Sequence, residues 1–325
     1  MSTESLSRAS EETQVADTVE FAEPIESTQL PATQLSLDAG AELRDGNTVM
    51  FCPTMALAWK HYVQIMPQIA YTPAGAKLLR SPFSEADISS SALEITYGLT
   101  EYSGPSVSCR LRKHLAFASK FDAHKLPLTF PDATGAHKVR AFGVTSHWAE
   151  WRNTLAQVQV IDYRSPDSFV IAIHNLAGED LILAKIPRPR TLEDGINDVS
   201  TQIRESHIPP EARSVVEGEQ VVIPVLELSV FADFKAELNH AEQPPGSRLV
   251  SASQTLQFRL DERGAVVWSE ALIIGENGGY DYAPGTRTFI FDKPFMIMLR
   301  ETPDRQPYFA AWIGNTDLMI VKESE

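Results

Sequence analysis

The sequence predicts an α+β fold, with helices toward the N-terminal part and antiparallel or mixed β-sheets dominating the C-terminal part. An early segment repeats apolar residues at helical spacing, whereas the chain after about Val107 carries short runs of strand character. The chain has 325 residues, of which 43% are hydrophobic, so it is long enough to bury a large core.

The clearest predicted helix covers residues 54–66. Met55, Trp59, Tyr62 and Met66 recur at intervals of four, three and four, which places them on one helical face. Pro53 suits the start, since the first N–H groups of a helix have no partner inside it. A second helix is predicted over residues 192–205, and residues 67–106 read as short helical pieces separated by Pro, Gly and Ser.

The predicted strands are short apolar or alternating runs. Leu256, Phe258 and Leu260 alternate with polar residues, which predicts a strand with one buried face. The other predicted strands cover residues 137–145, 155–163, 169–173, 181–186, 220–228, 289–299 and 308–313.

Residues 1–46 differ from the remainder in composition. They hold ten acidic residues against Arg8 and Arg44, a net charge of −8, and are rich in Ser, Thr, Pro and Gln. Such a composition buries too little apolar surface to offset the entropy of ordering, so we predict a disordered, dispensable acidic tail. A single domain is then expected over residues 47–325.

Charge and hydropathy exclude several classes of partner. A net charge of −15 disfavours nucleic acid. No run of about 18 apolar residues occurs, so no membrane span is expected. Residues 1–14 contain no apolar run, which predicts no signal peptide and a cytoplasmic location.

Sequence motifs that would indicate catalysis or ligand binding are weak. Cys52 and Cys109 read as two reduced thiols, although one bridge stays open. No cluster has metal-ligand spacing and no Gly-x-Ser-x-Gly motif occurs, so we expect no catalytic residue, metal or cofactor. One basic patch, interpreted as a solvated loop more readily than as a polyanion site, contains Lys185, Arg188 and Arg190.

The C-terminal region carries a family resemblance. Residues 251–264 read SASQTLQFRLDERG, an irregular loop follows, and residues 291–295 (FDKPF) and 308–314 (YFAAWIG) complete the block. This block resembles the carboxy-terminal signature of the serpins, in which a strand ends in an acidic hinge and an exposed reactive loop precedes a Pro-Phe strand. The resemblance implies a serpin-like α+β fold.

Upstream blocks occur in the order of that family. Residues 47–57, 114–121 and 220–228 are similar to its buried helix start and to two of its strands. Only about 60 residues separate the first two blocks, which implies a trimmed helical region. The family's polar groups beneath the main sheet correspond here to Cys52, Met55, Lys113 and Gln254, and its strand Trp to Phe121. The resemblance therefore implies a dismantled latch between sheet and helix.

The resemblance also implies a reactive-centre-type loop over about residues 264–288. Its hinge would comprise Glu262, Gly264, Ala265, Val267, Ser269 and Ala271. Insertion as a strand requires small side chains on one face, which Ala265, Val267, Ser269 and Ala271 provide. Because Trp268 lies in this stretch, we predict that the loop does not insert; an ordinary strand over residues 266–274 fits equally well. The candidate cleavage region contains Gly278, Gly279, Tyr280 and Tyr282.

Two functions follow from this resemblance. One is serine-type endopeptidase inhibition, with an unidentified serine protease as partner. The other is a non-inhibitory serpin-fold protein that acts through binding. The altered latch and the trimmed middle favour a non-inhibitory mechanism, and no enzyme activity is expected. The sequence leaves the oligomeric state open.

Overall fold

A computed structural model gives the structure of the chain. It describes residues 21–67, 72–82, 88, 92–100, 104–111, 113–144, 152–175, 178–216, 218–239, 249–267, 287–301 and 306–322. The helices are α1 (Thr54–Ile65), α2 (Pro73–Arg80), α3 (Arg152–Ala156), α4 (Leu192–Arg204) and α5 (Lys235–Leu238), with 3-10 turns at Ser27–Gln29 and Pro210–Ala212.

The strands are, in chain order, β1 (Ile25–Glu26), β2 (Thr33–Ser36), β3 (Thr48–Phe51), β4 (Leu93–Thr100), β5 (Gly104–Leu111), β6 (Lys113–Ala116), β7 (Asp122–Ala123), β8 (Leu128–Asp132), β9 (Gly135–Val139), β10 (Ala141–Val144), β11 (Val158–Ser165), β12 (Ser168–His174), β13 (Asp180–Lys185), β14 (Gln220–Pro224), β15 (Leu226–Asp233), β16 (Ser253–Asp261), β17 (Gly264–Val267), β18 (Thr288–Ile290), β19 (Phe295–Arg300) and β20 (Phe309–Ile313).

Three sheets organise the described residues. The seven-stranded sheet has the order β11-β12-β13-β19-β20-β3-β2, the five-stranded sheet β1-β15-β16-β17-β6, and the four-stranded sheet β18-β14-β10-β7. Two hairpins, β4-β5 and β8-β9, complete the strands. The α+β class predicted from the sequence is therefore confirmed.

The seven-stranded sheet is buried on both faces. Leu181 and Leu183 face the main core, which also contains Phe258 and Leu260 of the five-stranded sheet. The intervening Ile182 faces a second core, formed with α4. This follows from the period-two alternation of a strand and explains why β13 reads as an unbroken apolar run.

Both predicted helices are confirmed, and local chemistry explains their starts. The first turn of α1 is buried. Trp59 of α1 donates a hydrogen bond of 3.1 Å to the Gly75 carbonyl, which holds α2 against α1. Helix α4 begins with a capping box, in which Thr191 accepts from the Asp194 amide at 3.1 Å and the Asp194 carboxylate accepts from the Thr191 amide at 3.2 Å.

Several predicted strands are divided or shifted. The run over residues 220–228 contributes to two different sheets, because the chain changes sheet at Val225 between β14 and β15. The run over residues 289–299 is likewise split between β18 and β19. Residues 67–106 contain α2, as expected of a helical piece, but also β4 and the start of β5, which the sequence reading did not predict.

The prediction of a disordered tail up to residue 46 is wrong for residues 21–46. Strand β1 pairs in parallel with β15, and β2 pairs in parallel with β3, so this segment adds to both large sheets. Leu35, Leu37 and Leu43 are buried. A few well-spaced leucines and backbone pairing therefore order a segment whose average composition is polar. Residues 1–20 lie outside the described residues.

Candidate functional site

The predicted hinge is a strand inside the five-stranded sheet. Strand β17 pairs antiparallel with β16 on one side and with β6 on the other. The strand at residues 256–262 and the strand that ends near Phe117 are thus separated by one strand position. The position between them is filled by the hinge itself.

Backbone contacts hold this hinge closely. The Arg263 carbonyl accepts from the Phe117 amide at 2.9 Å, and the Glu262 carbonyl accepts from the Phe121 amide at 2.8 Å. A Cβ on Gly264 would lie 2.2 Å from the Leu115 carbonyl oxygen, so only glycine permits this approach. Ala265 is 1% exposed, so its small side chain is buried.

The prediction of an exposed loop over residues 264–288 is wrong for its first four residues and for Thr288. Gly264, Ala265 and the backbone of Val267 lie in β17, while Glu262 lies in the turn before it. Thr288 belongs to β18. Trp268 and the remaining predicted positions lie outside the described residues: Ser269, Ala271, Gly278, Gly279, Tyr280 and Tyr282.

Gln254 connects the sheet to helix α1. Its Nε2 donates to the Thr54 hydroxyl at 2.7 Å and to the Cys52 carbonyl at 3.2 Å. The predicted dismantling of the latch is therefore wrong at this position, because an amide can make the bonds that tie β16 to the helix start. The Gln254 Oε1 is buried without a hydrogen-bond partner among the described residues. Burial raises the pKa of the Cys52 thiol.

Lys113 ties β6 to the opposite sheet. Its Nζ forms an ion pair with Glu179 and lies 2.6 Å from the Glu301 carboxylate, and all three side chains are at most 12% exposed. Glu179 precedes β13 and Glu301 follows β19, so these ion pairs cross from the five-stranded to the seven-stranded sheet. Burial alone lowers the pKa of Lys113, but its bonds to the two carboxylates more than offset this and raise it.

Further buried polar groups surround this ion cluster. The Lys113 Nζ lies 5.3 Å from the ring centroid of Tyr308. Burial, and then the Glu179 and Glu301 charges, raise the pKa of Tyr308 well above its usual value. Arg300 contacts Asp180 at 3.0 Å, and both side chains are at most 5% exposed. Sequence reasoning identified Lys113 as a departure from the serpin pattern but missed its partners, which lie 66 residues or more away in the chain.

The distal end of the predicted loop is anchored by Arg287. Its Nη2 lies 2.9 Å from the Glu219 carboxylate, and its Nη1 donates to the Ala212 carbonyl at 2.8 Å. The guanidinium carbon also lies 5.6 Å from the Phe289 ring centroid. The predicted loop therefore leaves from one sheet and returns to another, with both ends held by buried or half-buried contacts.

Three aromatic positions of the resemblance are core residues. Phe121, which stands where the family has Trp, is fully buried and lies 5.1 Å from Phe117 in an edge-to-face contact. Phe291 and Phe295, from the Pro-Phe block, are fully buried with ring centroids 5.1 Å apart. These residues therefore position the strands at the two ends of the loop by packing.

The structure separates the predicted basic patch into two environments. Lys185 is 3% exposed and lies 2.6 Å from the Asp292 carboxylate, so the interpretation of a solvated loop is wrong for this residue. Arg188 and Arg190 are both exposed, with Arg188 2.9 Å from Asp45 and Arg190 3.5 Å from Asp194. The apolar run of β13 extends to Lys185 and carries it inside.

Within the described ranges, no group of three or more His, Cys, Asp or Glu side chains is arranged to hold a metal ion. None of the described helices is long and apolar enough to cross a membrane.

Comparison with known proteins identifies the fold. Neither a protein-family model nor a curated protein sequence matches the chain. Among solved structures, a serpin from the trematode Schistosoma haematobium is similar with a TM-score of 0.52 and 10% identity, over 83% of this chain and 94% of that one. The chain therefore has a serpin-like fold, trimmed in its helical region, in agreement with the resemblance seen in the sequence.

Other similar structures are also serpins. Serpin48 of the insect Tenebrio molitor has a TM-score of 0.40 at 13% identity, with 67% of this chain and 57% of that chain covered. Thyroxine-binding globulin in complex with thyroxine has a TM-score of 0.44 at 14% identity, with 67% and 58% covered. This chain thus spans less than three fifths of the length of these two proteins.

Proposed function

We propose that this serpin-like chain acts through binding, without enzyme activity and without trapping a protease. The occupied position between β16 and β6 supports this most directly. A loop that adds a central strand gains ladder hydrogen bonds when it inserts. Here Gly264–Val267 has already formed its part of that ladder, so cleavage would release less energy than in a sheet with an open gap.

The contacts around the hinge support the same proposal. Insertion of the rest of the loop requires β6 and β16 to separate further along their length. Gln254 holds β16 to α1, and Lys113 holds β6 to the seven-stranded sheet through buried ion pairs. Parting these strands would break charge-assisted contacts in a poorly hydrated region, which opposes sheet opening.

The alternative is a serine-type endopeptidase inhibitor, and one observation favours it. Ala265 is buried in β17, and a strand that continued this alternation would bring the next small residues of the sequence, Val267, Ser269 and Ala271, to the same face. An inserted strand could continue in this register. A chymotrypsin-like protease, which prefers aromatic residues, would then cleave after Tyr280 or Tyr282.

Digestion of the full chain with chymotrypsin and with elastase separates the two functions. We expect cleavage between residues 275 and 284 without a detergent-stable protease complex on a denaturing gel. The cleaved protein should melt within a few degrees of the intact chain. A covalent complex, or a cleaved form that melts tens of degrees higher, would instead establish a suicide inhibitor.

A matched variant tests the register in the same assay. Ala265→Glu places a charge at a buried position of β17 and should expel the hinge from the sheet. We expect this variant to melt lower and to be cleaved closer to Gly264. Ser253→Glu, at an exposed position of β16, is the control and should behave as the wild type.

A further inference from the structure

Four cationic side chains gather at one surface without a carboxylate partner. They lie in the segment after β7, in β9, between β9 and β10, and in the segment after β20: Lys125, Lys138, Arg140 and Lys322. All four are exposed, and none forms an ion pair with a carboxylate of the described residues. Most other described lysines and arginines do form such pairs, as Lys113, Lys185 and Arg287 do. Unpaired cations in a protein with a net charge of −15 mark a surface suited to an anionic partner.

Lys138 and Lys322 lie directly opposite each other on neighbouring segments. The Lys322 amide donates to the Lys138 carbonyl, and the Arg140 amide donates to the Ile320 carbonyl, at 2.8 Å each. Val139 is fully buried, so Lys138 and Arg140 project from the other, exposed face of the strand. Like charges directly opposite each other in a sheet are destabilising, so this arrangement costs stability until an anion neutralises it.

Lys125 extends this surface on the other side of Arg140. The His124 amide donates to the Ala141 carbonyl at 2.8 Å, in the antiparallel register that joins β7 to β10. The next pair in that register is Lys125 with Arg140, and residues directly opposite each other have Cβ atoms about 4.5–5.5 Å apart. The four cations therefore form one continuous surface, which we call the β9 patch.

The described chain begins on the side of the β9 patch. Strand β1 runs parallel to β15 with Ile25 beside Val230, so the chain enters β1 from the Leu226 end of β15. At that end Leu226 bridges Met319 on the side of β15 away from β16, which is the side that β1 occupies. Four residues of a strand span about 13 Å, and Met319 is followed closely by Lys322. The N-terminal end of β1 is therefore directed toward the segment that carries one of the four cations.

Residues 1–20 carry the complementary charge. They contain five carboxylate side chains against the single cation Arg8, a net side-chain charge of −4. The carboxylates belong to Glu4, Glu11, Glu12, Asp17 and Glu20. Twenty extended residues reach up to about 65 Å, so these carboxylates can all meet the β9 patch. The acidic side chains that follow Lys322, Glu323 and Glu325, are too few to balance four cations.

The tether favours this segment over an anion from another molecule. A separate acidic partner would have to approach a chain with a net charge of −15, which repels it at long range. A segment of the same chain is instead present at a high effective concentration, so several weak ion pairs are enough to hold it.

We infer that the acidic residues 1–20 bind the β9 patch, with their carboxylates paired to Lys125, Lys138, Arg140 and Lys322. The inference goes beyond the proposed function and is independent of it, because it concerns neither β17 nor the loop after it. Exposed ion pairs contribute little to stability, so this contact is measured by proximity and not by the melting temperature. Protease digestion tests the loop, so the two proposals can fail separately.

Carbodiimide cross-linking of the full chain at low ionic strength tests the contact, because the reagent joins a carboxylate only to an amine that lies against it. Peptide mapping by mass spectrometry should find residues 4–20 joined to Lys125, Lys138 and Lys322 within one chain. Lys77 and Lys293 are internal controls, since their side chains are 61% and 52% exposed but lie outside the patch. They should carry no link to residues 1–20. The links to the patch should weaken at roughly 0.5 M salt, which screens exposed charges.

A variant that leaves one lysine as a reporter separates binding from chance encounter. The triple variant Lys138→Gln, Arg140→Gln and Lys322→Gln keeps Lys125. We expect the links from residues 1–20 to Lys125 to fall about tenfold, equivalent to about 1.4 kcal/mol for three exposed ion pairs. The single variant Lys138→Gln should lower them about twofold, which keeps the test valid if the triple variant misfolds. Lys77→Gln, the matched control, should leave them unchanged.

Several results would overturn the inference. Links from residues 1–20 could be absent, or spread equally over Lys77 and Lys293. Links to Lys125 could stay at the wild-type level in both the triple and the single variant. Links between two chains would assign the β9 patch to a second copy, and links to it from Glu323 and Glu325 alone would assign it to the residues after Lys322.

Discussion

The N-terminal segment at residues 21–46 and the segment at residues 253–267 both supply strands to the five-stranded sheet, but they do so by different means. The segment at residues 253–267 supplies the central strand β16, in which Leu256, Phe258 and Leu260 bury one face in strict alternation. The N-terminal segment supplies the edge strand β1, which pairs in parallel with β15, and the edge strand β2 of the seven-stranded sheet, which pairs in parallel with β3.

This difference shows which interactions order each region. Strand β16 is ordered mainly by side-chain burial, which a short sequence window reveals. The N-terminal segment depends on distant polar contacts: the Asn315 side chain accepts from Thr48 at 2.8 Å and donates to the Ala32 carbonyl at 3.0 Å, and Thr33 donates to Asp317 at 2.6 Å. The amino-acid composition of residues 21–46 alone does not reveal these partners, because they lie far away in the sequence.

Deletion of residues 1–46 should have the largest effect. It removes β1 and β2 and the buried Leu35, Leu37 and Leu43, each worth about 1.5–3 kcal/mol. Because domains are stable by only about 5–15 kcal/mol, we expect a chain starting at Asn47 to be largely unfolded by circular dichroism.

A chain starting at Phe21 is the matched control. We predict that it melts as the full chain does, which would confine the dispensable tail to residues 1–20. Equal melting temperatures for the chains starting at Phe21 and at Asn47 would show that the N-terminal strands contribute nothing to stability. The N-terminal segment would then not be an ordered part of the sheets.

Lys113→Met should have the next largest effect and tests the hinge side. The substitution leaves the Glu179 and Glu301 carboxylates buried without their cation, which typically costs about 3–5 kcal/mol. We expect the urea midpoint to fall accordingly, with faster proteolysis at residues 262–267, because β6 is no longer held to the opposite sheet.

The control for this variant comes from the N-terminal side. Lys77→Met removes the ion pair between α2 and Asp38, in which the lysine is 61% exposed. Such a pair is worth at most about 1 kcal/mol. If the two variants lose equal stability, burial does not distinguish the ion pairs of the two regions.

The sequence predicted the elements whose pattern is local. The faces of α1 and β16 follow from spacing within about fifteen residues, and the serpin-like blocks occur in the order of that family. No sequence pattern assigned β17 its place in the gap between β6 and β16. Whether the hinge itself fills the gap depends on contacts such as that of Gly264 with the Leu115 carbonyl, which no spacing rule contains.

Polar residues show the same limit of prediction from the sequence. Lys113 and Gln254 were recognised as departures from the family pattern, and loss of a latch was the natural expectation. Each instead bonds to groups brought near by the fold, Gln254 to Thr54 across 200 positions of sequence. A substitution relative to a family therefore predicts that an interaction changes, but its new partner depends on the tertiary structure.

The smallest expected effect concerns the pH dependence of the turn that holds the N-terminal segment. Asp132 accepts from Thr316, the residue after Asn315, at 2.7 Å and from the Thr134 amide at 2.8 Å. Burial alone raises the pKa of Asp132, but these bonds, together with nearby His137, more than offset it and hold the pKa well below its usual range. A depressed folded-state pKa stabilises the protein above the unfolded-state pKa, and this contribution is lost as the pH falls through the folded value. Stability should therefore decrease below about pH 4.

Asp132→Asn, which cannot titrate, should cost about 1–3 kcal/mol at pH 7 and show a shallower loss toward pH 2 in urea titrations. Asp162→Asn, at a carboxylate paired with the exposed Arg164, should keep the wild-type slope. An unchanged slope in Asp132→Asn would mean that the acid sensitivity arises elsewhere, and that the turn at Asn315 holds the N-terminal segment without help from Asp132.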